Sequence, residues 1–233
     1  MSKYTFEDYA AFADSNPWLW ECDLLTGRTK TPATNDEIRK AEDILGFKFQ
    51  KHCLLLLNAY GFIPFFHYST DFFNLPPDYN CIHTEMFYNE NSEINKRRDT
   101  DTNATLYNIV TYTLGARELC KLPNNYLVIW EEEGDELGCV DMQSNDGTVI
   151  VWDFFAHVVN RVVNNSFIDF LFLNYIEEGL DYVMDPRNRF CPKTNKEYDF
   201  IWPDSLKNKL KEDFLWFKTN RKFYSNVQLP NWL

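Results

Sequence analysis

The densest group of ionisable side chains in the sequence is an acidic run made of Glu131, Glu132, Glu133, Asp135 and Glu136. Carboxylates crowded into one turn repel each other, because like charges at short range disfavour the charged state. A cationic surface that approaches such a turn relieves this repulsion. The run therefore has the chemistry of an electrostatic contact for a basic protein.

Two aromatic residues, Tyr126 and Trp130, stand just before the acidic run. Aromatic side chains are enriched among the residues that dominate binding interfaces. We therefore predict a partner-binding site formed by the five acids together with these two aromatic residues. A solvated turn remains the alternative, because runs of charge commonly form no more than an exposed surface.

A metal site around the later Asn-Asp-Gly sequence is not supported by its spacing. A calcium loop of the EF-hand type places glycine at the sixth position and a carboxylate at the twelfth, counted from the first acid. Counting from Asp141, Gly147 is the seventh residue and Trp152 is the twelfth. The sequence therefore predicts no metal in this loop.

Residue types that serve in catalysis are present without a catalytic arrangement. Glu136 and Asp153 are an imaginable acid–base pair, but any acidic protein offers such pairs. Cys53 follows His52 directly, and adjacent residues of a helix point apart. Ser166 lacks the surrounding G-x-S-x-G of a hydrolase, and neither a P-loop nor a dinucleotide fingerprint occurs. We expect a protein without catalytic residues and without a cofactor.

The six cysteines stand alone, without C-x-x-C pairs or histidines at metal-ligand spacing. The beginning of the chain lacks a basic segment followed by an apolar one, so we expect no secretory signal and a cytoplasmic location. Reduced, buried thiols are then the expectation, with neither zinc nor disulfides. No apolar run reaches the length of about 18 residues that a membrane helix requires, so no membrane span is expected.

Charge is distributed unevenly along the chain, whose net charge is −12. Residues 185–233 carry ten Lys and Arg against six Asp and Glu, whereas residues 1–184 carry 13 against 29. An acidic body repels nucleic acid, because nucleic-acid affinity depends on neutralising phosphates. An acidic body also attracts a basic protein and speeds the encounter between the two proteins. Solubility alone is the alternative explanation of the charge.

The acidic run lies between apolar segments that have the pattern of strands. Strands are predicted at residues 126–130, 137–142 and 148–154. The last two are joined by a turn ending in Asp-Gly, a strong hairpin signal because glycine accepts positive φ. Residues 149–152 are apolar without alternation, which predicts a central strand covered on both faces. Residues 157–163 are ambiguous.

A pair of helices is predicted upstream of these strands. Thr34 and Glu37 have the spacing of a capping box, in which each side chain bonds the other residue's amide. An apolar stripe follows, and Gly46 is the expected residue just beyond the helix. A second helix is predicted over residues 50–60, with Gly61 ending it.

The remaining elements rest on shorter patterns. Partial alternation over residues 106–114 predicts a strand, and residues 116–121 a helical turn. A later helix begins at Ser166, with Asp169 completing a capping box, and ends at Gly179.

Helices are also predicted at 5–14 and 204–219, and an exposed polar loop at 74–105. These patterns divide the chain into a lead-in over residues 1–33, a main domain over 34–180 and a C-terminal extension over 181–233 that is docked on the domain.

The order of these motifs resembles the SUKH superfamily over about residues 34–180. The first part of the match is the helix pair TNDEIRKAEDILGFKFQKHCLLLLNAYG. The second is the segment 123–141, which carries Gly134, Asp135 and Asp141. The third consists of Gly147, Val149, Trp152 and Asp153, followed by Ser166, Phe167, Phe170 and Leu171. The sequence departs from the pattern at Gln50, where the family usually carries proline, and at Ala59-Tyr60, where Asn-Gly is usual before a glycine.

The resemblance implies an α+β fold, with a mixed, mostly antiparallel sheet and helices packed against it. The superfamily includes bacterial immunity proteins, which bind nuclease or deaminase toxins, and fungal regulators of cell-wall synthesis. The resemblance implies a non-catalytic binding protein that neutralises a toxin, and the acidic body favours a basic toxin domain as the partner. A regulatory scaffold is the alternative. We expect neither a nucleic-acid nor a membrane partner, and the oligomeric state stays open.

Overall fold

A computed structural model describes residues 2–20, 32–61, 63, 70–71, 109–132, 136–184, 200–229 and 231. The α-helices in this part are α1 (Phe6–Ser15), α2 (Asn35–Leu45), α3 (Lys51–Tyr60), α4 (Ile109–Cys120), α5 (Phe167–Met184) and α6 (Asp204–Asn220). The strands are β1 (Thr70–Asp71), β2 (Tyr126–Glu132), β3 (Glu136–Asp141), β4 (Val149–Asp153) and β5 (Val158–Asn164). Short 3-10 helices occupy Pro17–Trp20 and Lys222–Tyr224.

The described strands form one sheet in the order β1-β2-β3-β4-β5. Every neighbouring pair is antiparallel, so the chain runs back and forth through the sheet. This confirms the α+β class and the three predicted strands of the central segment. Strand β4 lies between β3 and β5, and its first four residues are buried, as the lack of alternation predicted.

Helices cover both faces of the sheet. On one face, which we call the α4 face, the indole nitrogen of Trp152 donates to the carbonyl oxygen of Cys120 at 3.1 Å. On the other, the α5 face, the ring of Trp130 stacks on Phe170 with centroids 5.0 Å apart. Cross-strand partners share a face, so Gly138, which pairs with Trp130, also lies on the α5 face.

An irregularity in β2 decides which face Trp130 occupies. Val128 pairs with Cys139 and Trp130 pairs with Gly138, so Ile129 is an extra residue in the ladder. Strict alternation would place Val128 and Trp130 on the same face. The bulge instead directs Trp130 to the α5 face, opposite to Val128.

The two ends of the described chain pack on the far side of α5. Tyr4 stacks on Phe172 of α5, with ring centroids 4.0 Å apart. Phe12 of α1 lies 5.1 Å from the ring of Trp202, just before α6. Helix α6 buries Leu206, Leu210, Phe214 and Phe217. The segments before residue 34 and after residue 180 thus contribute to the same hydrophobic core, while the proposed domain limits stay a prediction.

The helix pair has the predicted boundaries and caps. The Thr34 amide donates to Glu37 at 2.6 Å, and the Glu37 amide donates to the Thr34 hydroxyl at 3.3 Å. Gly46 and Gly61, at the ends of α2 and α3, have φ of 75° and 69°. These values lie in the left-handed region, where glycine is favoured because it has no Cβ. The predicted helices at 5–14 and 204–219 are confirmed as α1 and α6.

Residues 109–120 form a helix, so the strand predicted at 106–114 is wrong and the predicted helical turn at 116–121 is only part of α4. The alternating Thr and Tyr residues of this segment favour a strand locally, but tertiary contacts override that preference. Thr113 is one such contact, because its hydroxyl accepts a hydrogen bond from the Val128 amide of β2 at 2.9 Å.

The prediction that Gly179 ends its helix is also wrong, because α5 continues to Met184. A Cβ placed on Gly179 would lie 3.3 Å from Trp202 and 3.4 Å from Phe200. The glycine thus permits a close approach of the segment before α6. The predicted loop at 74–105 lies outside the described residues.

Ser166 caps α5 through a bond from the Asp169 amide at 3.2 Å, as predicted. Asp169 does not complete the box. Its carboxylate accepts from the backbone amides of Lys3 and Tyr4 at 2.9 and 2.8 Å, whereas the Ser166 amide donates to Asn164. The acid therefore anchors the beginning of the described chain to α5.

Candidate partner-binding surface

Four acids lie near one end of the sheet, where β2 ends, β3 begins and β4 ends. Glu132 pairs with Glu136 across β2 and β3, and Glu136 pairs with Asp153 across β3 and β4. We call Glu131, Glu132, Glu136 and Asp153 the acidic end. Glu133 and Asp135 lie outside the described residues. The strand register thus brings three of the five sequence-predicted acids close together.

Glu136 of β3 is partly neutralised by residues of β5, which reach it across β4. Arg161 of β5 donates to its carboxylate at 2.8 Å, and the Asn160 side-chain amide donates to it as well. The Arg161 side chain is 47% exposed and that of Glu136 22%. Such a pair is worth about 0.2–1 kcal/mol, because water screens it. Glu136 is thus a hydrogen-bonded part of the sheet surface.

Asp153 has a structural role in the turn after β4. One of its carboxylate oxygens accepts from the amides of Phe155 at 2.9 Å and Ala156 at 2.6 Å. Short polar side chains commonly satisfy the next amides of a turn in this manner. The acid-base pair of Glu136 and Asp153 considered from the sequence is therefore two carboxylates with separate hydrogen-bond partners.

Glu131 lies partly buried on the α4 face, where it lines a small cleft with Cys120, Leu137 and Phe154. Burial raises the pKa of the Cys120 thiol to about 12, and the negative charge of Glu131 adds to the shift. The cleft has a volume of about 50 Å³, which is small beside the several hundred Å³ of ordinary ligand sites. A cleft of this volume has room for a few ordered water molecules.

The two aromatic candidates lie apart from the acids. Trp130 is fully buried on the α5 face between Gly138 and Phe170. Tyr126 is partly buried at the opposite end of β2 from Glu132, with its ring 6.3 Å from that of Trp152. The structure therefore brings together only the acids of the predicted site. Partner binding by these acids stays a prediction.

The described thiols are buried, and their pKa values are raised above the ordinary range. Burial is the largest cause for Cys53, Cys120 and Cys139. A thiol with a raised pKa stays protonated at neutral pH and is a poor nucleophile and metal ligand. Within the part of the chain that the structure describes, no cluster of His, Cys, Asp or Glu is arranged to hold a metal. Among those same residues, no helix has the length and apolar character of a membrane span.

An exposed apolar strand lies next to the acidic end, and sequence patterns left its segment ambiguous. Every residue of β5 except Asn164 is exposed, although four of the seven are valines. Phe155, in the turn before the strand, is 71% exposed. We call this strand with Phe155 the β5 edge. The sequence signal that could have revealed it is the paired valines without alternation, but such a run equally fits a buried strand.

Comparison with known proteins agrees with this architecture. A family model described as SUKH_6, SMI1-KNR4 cell-wall, matches residues 35–171, which is more than half of the chain. A search of curated proteins finds no match. The matched segment runs from the start of α2 into α5, and it contains the acidic end and the β5 edge. The chain therefore belongs to the SUKH family.

Proposed function

We propose that this chain is an immunity protein, which neutralises a toxin domain by binding it directly and without catalysis. The SUKH family generally consists of non-catalytic immunity or regulatory proteins. The partner that fits the charge of this member is a basic domain of a nuclease or deaminase toxin. Nuclease domains that grip phosphates are themselves basic, so an acidic binder complements them.

The observation that carries this proposal is the acidic end of the sheet. Glu131 and Glu132 lie next to each other at the end of β2, and Glu136 lies across from Glu132. The whole chain has a net charge of −12, so its long-range field has the same sign as this end. Local and overall charge therefore act together to steer a basic partner toward the acidic end.

The described interior supports binding rather than chemistry. Its thiols are protonated, its cleft is small, and the carboxylates of Glu136 and Asp153 are occupied by separate donors. A catalytic site needs groups whose protonation states and positions converge on a reacting atom. A binding surface needs only an ordered display of charge, which strand pairing supplies.

Co-expression tests the proposal directly. A tagged copy of the chain first captures its partner from the native cells, and mass spectrometry identifies the captured toxin domain. The chain and this toxin domain are then expressed together in a bacterial host. We expect growth to be restored and a stable complex of the two proteins to be purified. Capture of housekeeping proteins alone, or a captured toxin that still kills the host, would contradict the proposal.

A regulatory scaffold is the second candidate, because the matching family is described by its cell-wall members. The two functions differ in what the partner does when the chain is absent. Deleting the gene should sensitise cells to a neighbour's toxin if the chain confers immunity. Altered cell-wall composition, without any change in toxin sensitivity, would favour the scaffold.

A further inference from the structure

We propose that the β5 edge pairs with the β5 edge of a second copy of this chain, forming an antiparallel dimer through one continuous sheet. The strand lies at the end of the described sheet and pairs with β4 only. The outer side of such a strand presents a row of amide and carbonyl groups that readily pair with another strand. The inference concerns self-association and does not depend on the proposed function.

The side chains of β5 are unlike those of a protected edge. Edge strands normally avoid pairing by being very short, by carrying charges, especially lysine, or proline, or through bulges that twist the edge away. Strand β5 has seven residues without lysine or proline, and its one charged residue, Arg161, is bonded to Glu136. Val158, Val159, Val162 and Val163 are 52%, 40%, 56% and 38% exposed. Two bulges twist the strand, but they leave these valines in contact with solvent.

The order of residues favours a second copy as the occupant. The strand reads Val-Val-Asn-Arg-Val-Val-Asn, with one pair of valines on each side of a polar middle. When two such strands run antiparallel about that middle, the first valine pair of one copy, Val158 and Val159, lies beside the second pair of the other copy, Val162 and Val163. A two-fold arrangement thus buries apolar residues against apolar residues at both ends.

The polar middle of the strand is compatible with the same arrangement, because its charge is paired within each copy. Asn160 and Arg161 both donate to Glu136 of their own copy. In the antiparallel pairing the two middles adjoin, so Arg161 of each copy lies beside Asn160 of the other. The only formal charge on β5 is already balanced within its own copy, so the pairing does not bury an uncompensated charge.

The net charge makes a distinctive prediction about salt. Two copies that each carry −12 repel each other at long range, whereas the contact itself is apolar. Added salt screens the repulsion without weakening the apolar contact. Dimerisation should therefore increase with ionic strength, in contrast to an interface held by charge.

Sedimentation of the purified full chain tests the proposal. At moderate and high salt, the mass should rise with protein concentration from 27.8 kDa toward twice that value. The double variant Val159→Lys with Val162→Lys should weaken the dimer at least tenfold. Leu215→Lys on α6 is a matched control, because Leu215 is a similarly exposed apolar residue, at 43%, and should leave the dimer unchanged.

Hydrogen exchange supplies a second measurement that does not need a variant. The amides of β5 should exchange more slowly as protein concentration rises, while those of exposed residues in α6 should not change. A monomer at every concentration and salt level, or a dimer that the two lysines leave intact, would overturn the proposal. Protection of β5 that appears only on adding another protein would assign the edge to that protein and would overturn it as well.

Discussion

The side chain of Gln50 joins the start of α3 to the β3–β4 turn, because its amide nitrogen donates to the carbonyl oxygen of Asn145 at 2.8 Å. Its amide oxygen accepts from the backbone amides of His52 and Cys53, at 2.8 and 3.3 Å. One buried side chain thus caps a helix and fixes a hairpin that are distant in sequence. Both functions depend on the same amide group.

Replacing Gln50 with leucine, which has a similar size, should destabilise the fold by about 2–4 kcal/mol. The estimate combines the loss of a helix cap, about 1 kcal/mol, with buried backbone groups of the turn and helix left without a partner. Urea unfolding measures the change. Gln143→Leu in the same turn is the control, because Gln143 is exposed, and it should change stability by less than about 0.5 kcal/mol. Equal effects of the two substitutions would refute the dual role.

Gly138→Ala should destabilise the protein by about 3 kcal/mol or more, because the new methyl group would overlap the Trp130 ring. A Cβ at Gly138 would lie only 1.9 Å from two atoms of that ring, which is buried against Phe170. Gly46→Ala is the comparison, since Gly46 has φ of 75° and open space around it. It should lose only about 1–2 kcal/mol from the left-handed backbone. Thermal and urea unfolding of both variants would show whether packing or backbone freedom dominates.

The stability of the protein should fall with acidification partly through His52. Burial lowers the pKa of this imidazole, and the nearby charge of Asp146 opposes that effect. The unfolded chain therefore takes up the proton first as the pH falls below the ordinary value of 6.5. The contribution of His52 to the stability of the fold is therefore complete above pH 6.5, and it is lost as the pH falls toward the lowered pKa of the folded state.

When the pH is lowered from about 7.5 to about 5, the free energy of unfolding of the His52→Gln variant should accordingly fall less than that of the wild type. Urea unfolding at both pH values gives the two differences. The substitution retains the backbone amide of residue 52, which donates to Gln50. An identical pH dependence in the two proteins would show that His52 is not responsible.

Charge reversal at the acidic run should weaken binding of a captured toxin by tenfold or more. The test variant carries Glu132→Lys, Glu133→Lys and Asp135→Lys, and its affinity should also depend less steeply on salt. The control carries Asp36→Lys, Asp43→Lys and Glu212→Lys, three reversals of acids that are exposed on helices. Calorimetric titrations at two salt concentrations separate the variants. Equal losses in both would indicate that only the overall charge matters.

Local patterns were sufficient to predict the helix pair and the β3–β4 hairpin. Thr34, Gly46 and Gly147 act through their own neighbours, and Gly147 indeed has φ of 73°. A cap or a turn is determined by a few consecutive residues, so one sequence carries the full signal. The α+β class was what the family resemblance implied.

The errors arose where distant contacts decide the structure. Asp169 has the spacing of a capping box, but the amides of Lys3 and Tyr4 occupy it. Gly179 has the character of a helix end, but it is needed for close packing by Trp202. No local pattern contains these partners, because they lie far away along the chain.

The candidate site was predicted only in part for a similar reason. The acids are adjacent in sequence, so their proximity at the end of β2 was foreseeable. The position of Trp130 depends on the bulge at Ile129, which reverses the alternation of β2. A bulge is determined by pairing with the neighbouring strand, and no residue type in this part of β2 predicts one. The β5 edge was missed because a run of valines in the sequence is equally compatible with an exposed strand and with a buried strand.

The burial of Trp130 has a consequence for the residues that follow it. Its ring is held between Gly138 and Phe170, and the next two residues, Glu131 and Glu132, remain paired with β3. The main chain beneath these two carboxylates is therefore already ordered before any encounter. The complex proposed at this end would not have to freeze that backbone, a cost of about 1–2 kcal/mol per residue for a flexible segment. For these two residues the entropic penalty would then come from the side chains and from the lost translational and rotational freedom of the partner, so fewer contacts would be needed to hold the proposed partner there.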